Sequence, residues 1–215
     1  MDDIAKVYDE IAEGYFHVRS KPWPEVELVE RGPVLDLGCG TGRHSSYLMS
    51  KGFEVVCADI SWGMLSVASK RFQGERVQCD AAFLPFRDES FATVLYIATL
   101  HHLRDELRLR SLMEVRRVLK SGGTAIVSVW ALFQPRFFRM YPSMFLNFLR
   151  GGVFRDVHVP WKRGGKILMR YYHLFTKSEL ISLLRRAGFR EIEYRKRSFK
   201  SRILAENHVA IARKF

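Results

Sequence analysis

The residues with the clearest chemistry lie in Val34-Leu35-Asp36-Leu37-Gly38-Cys39-Gly40-Thr41-Gly42-Arg43-His44, where an apolar run meets a carboxylate, three glycines and then a helical pattern. Glycines between a strand and a helix let the backbone curl closely around a ligand. Asp59 ends the next apolar run, Val55-Val56-Cys57-Ala58, and stands 21 residues after Gly38, where a nucleotide-type site needs a carboxylate for the ribose hydroxyls. Asp36 decides between ligands. A carboxylate there repels a pyrophosphate but holds a cationic ligand, through water or the ligand's amino group, which favours S-adenosylmethionine over a dinucleotide.

Such a ligand is held at the rim formed by the ends of successive strands. On that rim Asp36, Gly38 and Gly40 approach the amino acid end, Asp59 takes the ribose, Ile60 and Met64 pack on the adenine face, and Asp80 with Ala81 reads the adenine edge. A second kind of chemistry appears in Arg19-Ser20-Lys21-Pro22-Trp23-Pro24, Arg155-Asp156-Val157-His158-Val159-Pro160-Trp161 and Arg170-Tyr171-Tyr172-His173-Leu174-Phe175. Each mixes cations with aromatic rings in or beside a loop. Rings stack a planar base while guanidinium and ammonium groups pair its charge.

The elements that must position these residues alternate as in a parallel sheet with helices on both faces. A helix is expected over 2–15, strands near 33–37, 54–58, 75–79, 91–98 and 122–130, and helices near 42–51, 62–72 and 105–119. The pattern predicts an α/β, doubly wound, Rossmann-like single domain over 1–215. Residues 131–170, punctuated by three prolines and four glycines, read as an irregular insertion on the substrate side. A helix at 176–187 and strands near 189–197 and 207–213 complete the chain.

Composition limits the possibilities. With 215 residues, 47% of them hydrophobic, the chain can bury one sizeable core. It has no apolar run long enough to span a bilayer, and its acidic start lacks the features of a signal peptide, so a cytoplasmic protein is expected. Cys39, Cys57 and Cys79 have neither metal-site nor disulfide spacing and read as small buried residues. The net charge of +12 is unevenly spread: residues 1–100 hold 10 basic against 15 acidic groups, and residues 101–215 hold 25 against 8. A half-molecule this basic suits a polyanion, with nucleic acid the leading candidate.

The motif set resembles the seven-stranded class I S-adenosylmethionine-dependent methyltransferases. Val34–Gly42 resembles their first motif, Asp59 their second, Asp80-Ala81 their third, Phe91–His102 with Ile97 their fourth strand, and Leu119–Gly123 the turn before their fifth. Tyr8–Tyr15 is similar to their cofactor-closing helix, with Tyr15 as the lid. Beyond these motifs, the three aromatic–cation segments and Asn207–Lys214 resemble the tRNA methyltransferases that esterify a carboxymethyl group on the wobble uridine of the anticodon loop.

That resemblance implies a tRNA substrate and a set of roles. Arg19 and Lys21 would position the carboxylate, Trp23 and Tyr172 would wall it, and His101 would orient the substrate or share its charge. Asp156, Trp161, Arg170, Tyr171, His173 and Asn207 would bind the substrate. Phosphates would meet Arg136, Arg139, Lys162, Arg163, Lys166 and Arg195–Arg197. The resemblance also implies a small activator protein docked at the third-strand edge, over residues 75–84 with Val77, Phe83 and Leu84. The first 130 residues would equally allow a methyltransferase of small carboxylates or phenols, and an RNA-binding scaffold with an idle fold is the non-enzyme alternative.

Overall fold

Val34, Leu35 and Leu37 are almost wholly buried because the strand that holds them, β1 (Val34–Leu37), lies in the middle of a seven-stranded sheet. Around it lie β2 (Val55–Asp59), β3 (Glu75–Gln78), β4 (Phe91–Ile97), β5 (Leu119–Trp130), β8 (Glu191–Arg197) and β9 (Asn207–Arg213), in the order β3-β2-β1-β4-β5-β9-β8. β1 to β5 pair in parallel, and β9 runs antiparallel to both β5 and β8. The computed structural model describes residues 2–18, 20–163, 166–198 and 204–215.

Strand alternation feeds two cores. Leu35, Leu37, Val94, Tyr96 and Val127 face one way, towards α4 (Glu106–Val118) and α6 (Lys177–Arg186). Val34, Leu95, Ile97 and Ile126 face the other, against Leu48 of α2 (Arg43–Ser50) and Val26. The order runs outward from β1 to β3 and restarts at β4, so a crevice opens at the carboxyl ends of β1 and β4. Among the described residues no helix is long and apolar enough to cross a membrane.

Two further helices frame that crevice. Ser61 caps α3 (Trp62–Ala68) by accepting from the Met64 N–H at 3.0 Å. The N-terminal helix α1 (Asp2–Val18) docks there through Asp9, whose Oδ1 accepts from Ser61 Oγ at 2.6 Å and from the Gly63 N–H at 2.8 Å. A Cβ on Gly63 would come within 2.9 Å of the Asp9 Cα. Gly63→Ala is therefore expected to push α1 off α3 at a cost of about 1–3 kcal/mol. Faster amide exchange across α1 would register the change; unchanged protection there would refute it.

The 131–170 segment is not the irregular insertion expected. It holds a short 3-10 turn (Pro135–Met140), α5 (Tyr141–Leu149) and an antiparallel hairpin of β6 (Asp156–Arg163) with β7 (Lys166–His173). Pro135 and Pro142 stand in first turns, where no N–H is needed, and Pro160 lies in a two-stranded ribbon. These prolines punctuate regular elements rather than break them. Two aromatic–cation segments placed at loops are thus opposed strands, with Asp156 paired to His173 and Val159 to Arg170. At the other end of the sheet β3 is the outermost strand, with Phe83 half exposed nearby. Leu84, expected on that edge, instead lies buried in the main core.

Candidate active site

Three glycines after β1 carry positive φ: Gly38 at 70°, Gly40 at 54° and Gly42 at 68°. Gly38 has a steric reason as well, since a Cβ there would lie 2.1 Å from Thr99 Oγ1. Gly40 differs: its Cβ would meet nothing within 4 Å, so this backbone faces the cavity. The Gly40 N–H donates to Asp59 Oδ2 at 2.8 Å, and the Ser61 N–H to Oδ1 at 2.9 Å. Asp59 is thereby fixed with a further lone pair on each oxygen, a suitable acceptor pair for a ribose diol. Burial raises its pKa, and the backbone donors oppose that.

Around this turn lies a cavity whose walls include Tyr15, Gly38, Gly40, Asp59, Ile60, Met64, Asp80, Ala81, Ile97 and Tyr171 among the expected residues. One Asp80 oxygen accepts from the Ala82 N–H at 2.9 Å. The same cavity is lined by residues to which the sequence gives no role of their own, including Tyr8, Arg43, Thr99, Arg104 and His158, and by His102, the neighbour of His101. Tyr8 and Tyr15 belong to the same helical motif, Tyr8–Tyr15, and their rings meet edge to face at 6.2 Å. Cys39 and Cys79 also line it, and Cys79, expected buried, is partly exposed. Its thiol is pushed up to about 12, first by burial and then by Asp59 and Asp80, which keeps it a poor nucleophile.

Asp36 stands behind the glycine turn rather than on the wall. Its carboxylate is 1% exposed, accepts from Ser45 Oγ at 2.6 Å and has its pKa raised to about 6 by burial. Ser45 in turn accepts from the Cys57 thiol at 2.8 Å. His44, whose Nδ1 is 4.0 Å from Asp36, is held neutral by burial and by Arg43.

The end of β4 likewise differs in detail. His101 is buried away from the cavity, its Nδ1 accepting the Trp130 N–H at 3.2 Å, and its neighbour His102 takes the wall position. The 3-10 turn at Leu100–His102 aims consecutive side chains in different directions. His102 Nδ1 lies 2.8 Å from the Tyr171 carbonyl, which can only accept, so this nitrogen carries the proton. Its Nε2 therefore accepts from Tyr8 Oη, also at 2.8 Å. Burial lowers His102 to about 4, and burial first, then the neighbouring His102 ring and Arg170, lowers His101 well below its ordinary value. Both rings are neutral. The Tyr8–His102–Tyr171 chain ties α1, the β4 rim and the hairpin together over the cavity.

Next to the histidines the hairpin's inward face, with Trp130 at the end of β5, forms an aromatic box. Trp130 and Tyr172 stack at 4.1 Å with planes 8° apart, the Arg136 guanidinium lies 4.6 Å from the Trp130 centroid, and Tyr172 contacts both His101 and His102. Trp161 packs on Tyr15 at 5.6 Å, and Arg170 lies over Trp161 and Tyr172. Other expected substrate residues have structural ties. His173 lies between Asp156 at 2.6 Å and Glu179 at 2.9 Å, fastening the hairpin to α6. Burial alone would raise both carboxyls, but the His173 ring keeps them below their ordinary range.

Trp23 packs against the second core and under Arg43 at 5.5 Å, Lys21 is exposed, and Asn207 is buried opposite Trp130. Arg19 lies outside the described residues, as do the side chains of Arg163 and Lys166. The basic run on β8 is not one free surface: Arg195 pairs with Glu193 at 2.6 Å and Arg197 with the buried Glu25 at 2.9 Å.

A methyltransferase-domain model matches residues 35–127, from the turn through β5. The chain is 32% identical to the tRNA (carboxymethyluridine(34)-5-O)-methyltransferase of Schizosaccharomyces pombe, covering 89% of this chain and 90% of that one. It belongs to the class I S-adenosylmethionine-dependent methyltransferases, in the family of that enzyme. The Arabidopsis thaliana protein of the same name is 36% identical over 61% of this chain and 33% of its own longer one. Among solved structures, an S-adenosylmethionine-dependent methyltransferase from Methanosarcina mazei superposes with a TM-score of 0.73 at 25% identity, covering 90% of this chain and 98% of that one. S-adenosylmethionine is thus the cofactor of this methyltransferase, and the glycine turn with the anchored Asp59 fits it.

Proposed function

We propose that this methyltransferase esterifies the carboxylate of a 5-carboxymethyluridine-type wobble base in a tRNA anticodon loop. The observation that carries the reading is the box of Trp130, Tyr172, Trp161 and Arg170, set directly against the cofactor-side residues His102 and Tyr15. Stacked rings suit a planar base, and the basic second half of the chain suits the phosphates around it.

Held by the glycine turn and Asp59, S-adenosylmethionine would supply an electrophilic methyl to a carboxylate oxygen, with its sulfur as the leaving group keeping the electron pair and no proton needing to move. A carboxylate is ionised at neutral pH, so the site needs no general base. Neutral His101 and His102 match that requirement. His102 and Tyr172 would exclude water and hold the acceptor, with His101 packed behind them, and alignment of this kind contributes about 7–11 kcal/mol in favourable cases. Under this reading Asp80 would meet the adenine edge, Asp59 the ribose, and Tyr15 would close the lid. The exposed edge of β3, flanked by Phe83, is the place for an activator protein to add a strand.

The test is transfer of labelled methyl to an anticodon stem-loop bearing 5-carboxymethyluridine at the wobble position, with and without a co-expressed activator. A label lost on mild alkaline hydrolysis is the expected ester. Base-stable label on another nucleoside, or none with either preparation, would overturn the reading.

A further inference from the structure

Arg170 is 7% exposed, and its guanidinium carbon lies 5.1 Å from the Trp161 ring centroid and 5.4 Å from that of Tyr172. Its buried Nε has no hydrogen-bond partner, and among the described residues no carboxylate pairs with it. The other buried arginine makes an informative contrast. Arg108, also 7% exposed, donates from Nε to the Leu103 carbonyl at 2.9 Å and from Nη2 to Tyr171 Oη at 3.0 Å, and lies 3.9 Å from Asp156. The fold can supply partners to a buried guanidinium, but around Arg170 it supplies rings.

Burying a cation without a counter-ion is costly, and cation–π contacts return only part of that cost. The Arg170 charge is felt by its neighbours: it lowers His101 and His102, and it opposes the rise that burial imposes on Tyr8 and Tyr172. Tyr172 stands between Arg170, at 5.4 Å, and His102, at 4.4 Å, and His102 lines the cofactor cavity, so the charge lies one ring behind that wall.

We infer that Arg170 is the receptor for the acceptor's carboxylate, pairing with it through the guanidinium fork while Trp161 and Tyr172 hold the fork flat. The inference rests on the esterification reading and moves the counter-ion from Arg19 and Lys21 to the hairpin. A planar fork matches a carboxylate bidentately, and a buried pair is strong because little water competes. Esterification then abolishes the acceptor's charge: Arg170 pairs with substrate but not with product, so the same residue favours binding before transfer and release after it.

The test compares two stem-loops, one with 5-carboxymethyluridine and one with the uncharged carbamoylmethyl analogue, on the wild-type protein and on Arg170→Met and Arg170→Lys. Wild type is expected to bind the carboxylate RNA roughly 30- to 300-fold more tightly than the amide. Arg170→Met should remove that preference and lower kcat/KM by a similar factor, with S-adenosylmethionine affinity unchanged. Arg170→Lys should retain part of both. Because Met removes an unpaired buried charge and keeps much of the volume, its Tm is expected to stay level or rise, which guards against a folding artefact. Equal weakening towards both RNAs, or a preference intact in Arg170→Met, would overturn the inference while leaving the esterification reading standing. Wild type that transfers no methyl to the carboxylate RNA, with activator present, would overturn both.

Discussion

Gly38→Ala is expected to abolish measurable S-adenosylmethionine binding and to cost about 2–5 kcal/mol of stability. Two terms add. The position has φ at 70°, a conformation an L-residue adopts at a cost of about 1–2 kcal/mol. The new methyl would also lie 2.1 Å from Thr99 Oγ1, 2.3 Å from its Cγ2 and 2.6 Å from its Cβ. Rotating Thr99 relieves the first two contacts but not the third, because the Cβ is fixed to the backbone. The Gly38 or Thr99 segment must therefore move, and Gly38 N–H donates to the Ala58 carbonyl at 2.7 Å, so the turn and the β2 end that carries Asp59 shift together. Urea unfolding and calorimetric titration with the cofactor measure the two effects. Gly38→Ala with Thr99→Ala should recover part of the stability, and full recovery of cofactor affinity in the double variant would contradict this account. Gly40→Ala separates the steric clash from the rest: it carries the same left-handed strain, with φ at 54°, but no atom of the described residues lies within 4 Å of its Cβ, so an affinity loss larger than its stability loss reports the ligand side of the turn.

How much was legible depended on whether a residue acts through local spacing or through tertiary company. The turn, Asp59, Ile60, Met64 and Asp80 follow directly from strand ends in a doubly wound sheet, since each strand delivers its last residue to the same rim. His101 shows the limit. His101 and His102 are adjacent in the sequence, but which of the two faces the cavity depends on a 3-10 turn whose rotation no periodicity records. Tyr8 was hidden for a different reason, being one aromatic among several on α1 until His102 gave its hydroxyl a partner.

The hairpin shows how breakers mislead. Three prolines and four glycines in 131–170 read as disorder of pattern, yet in a two-stranded ribbon a proline costs no sheet hydrogen bond on its outer side. Alternation along β7 also sorts chemistry that the sequence leaves mixed. Arg170 and Tyr172 point into the aromatic box, whereas Met169 and Tyr171 line the cofactor cavity. A charge pattern alone could not distinguish Arg170, which has no acidic partner among the described residues, from Arg108, which lies 3.9 Å from Asp156.

Asp36→Asn is expected to change how both stability and cofactor affinity respond to pH. The carboxyl has an ordinary value of 3.8 and is raised to about 6, chiefly by burial. The folded protein therefore binds the extra proton between these values. The stabilisation this gives is fully present below pH 3.8 and is lost as pH rises through about 6. At neutral pH the buried carboxylate costs about 3 kcal/mol relative to its protonated form. Asparagine cannot ionise, so the stability of the variant relative to wild type should climb between pH 4 and pH 7 by an amount of that order. The slope is the decisive quantity, because an amide also changes the bond to Ser45 by a constant amount. Cofactor binding should move the opposite way: an ionised carboxylate behind the glycine turn attracts a sulfonium, so wild-type affinity for S-adenosylmethionine should fall as pH drops through about 6. Burial and Arg43 lower His44 well below its ordinary value, which moves its titration away from neutral pH. The neutral thioether S-adenosylhomocysteine should show less dependence, and Asp36→Asn should lose the difference between the two ligands, keeping only the common dependence that Asp59 contributes through the ribose, and bind S-adenosylmethionine about tenfold more weakly at pH 7.5. A wild-type affinity independent of pH, or an unchanged preference between the two ligands in Asp36→Asn, would remove Asp36 from cofactor recognition and leave it as a structural carboxylate held by Ser45.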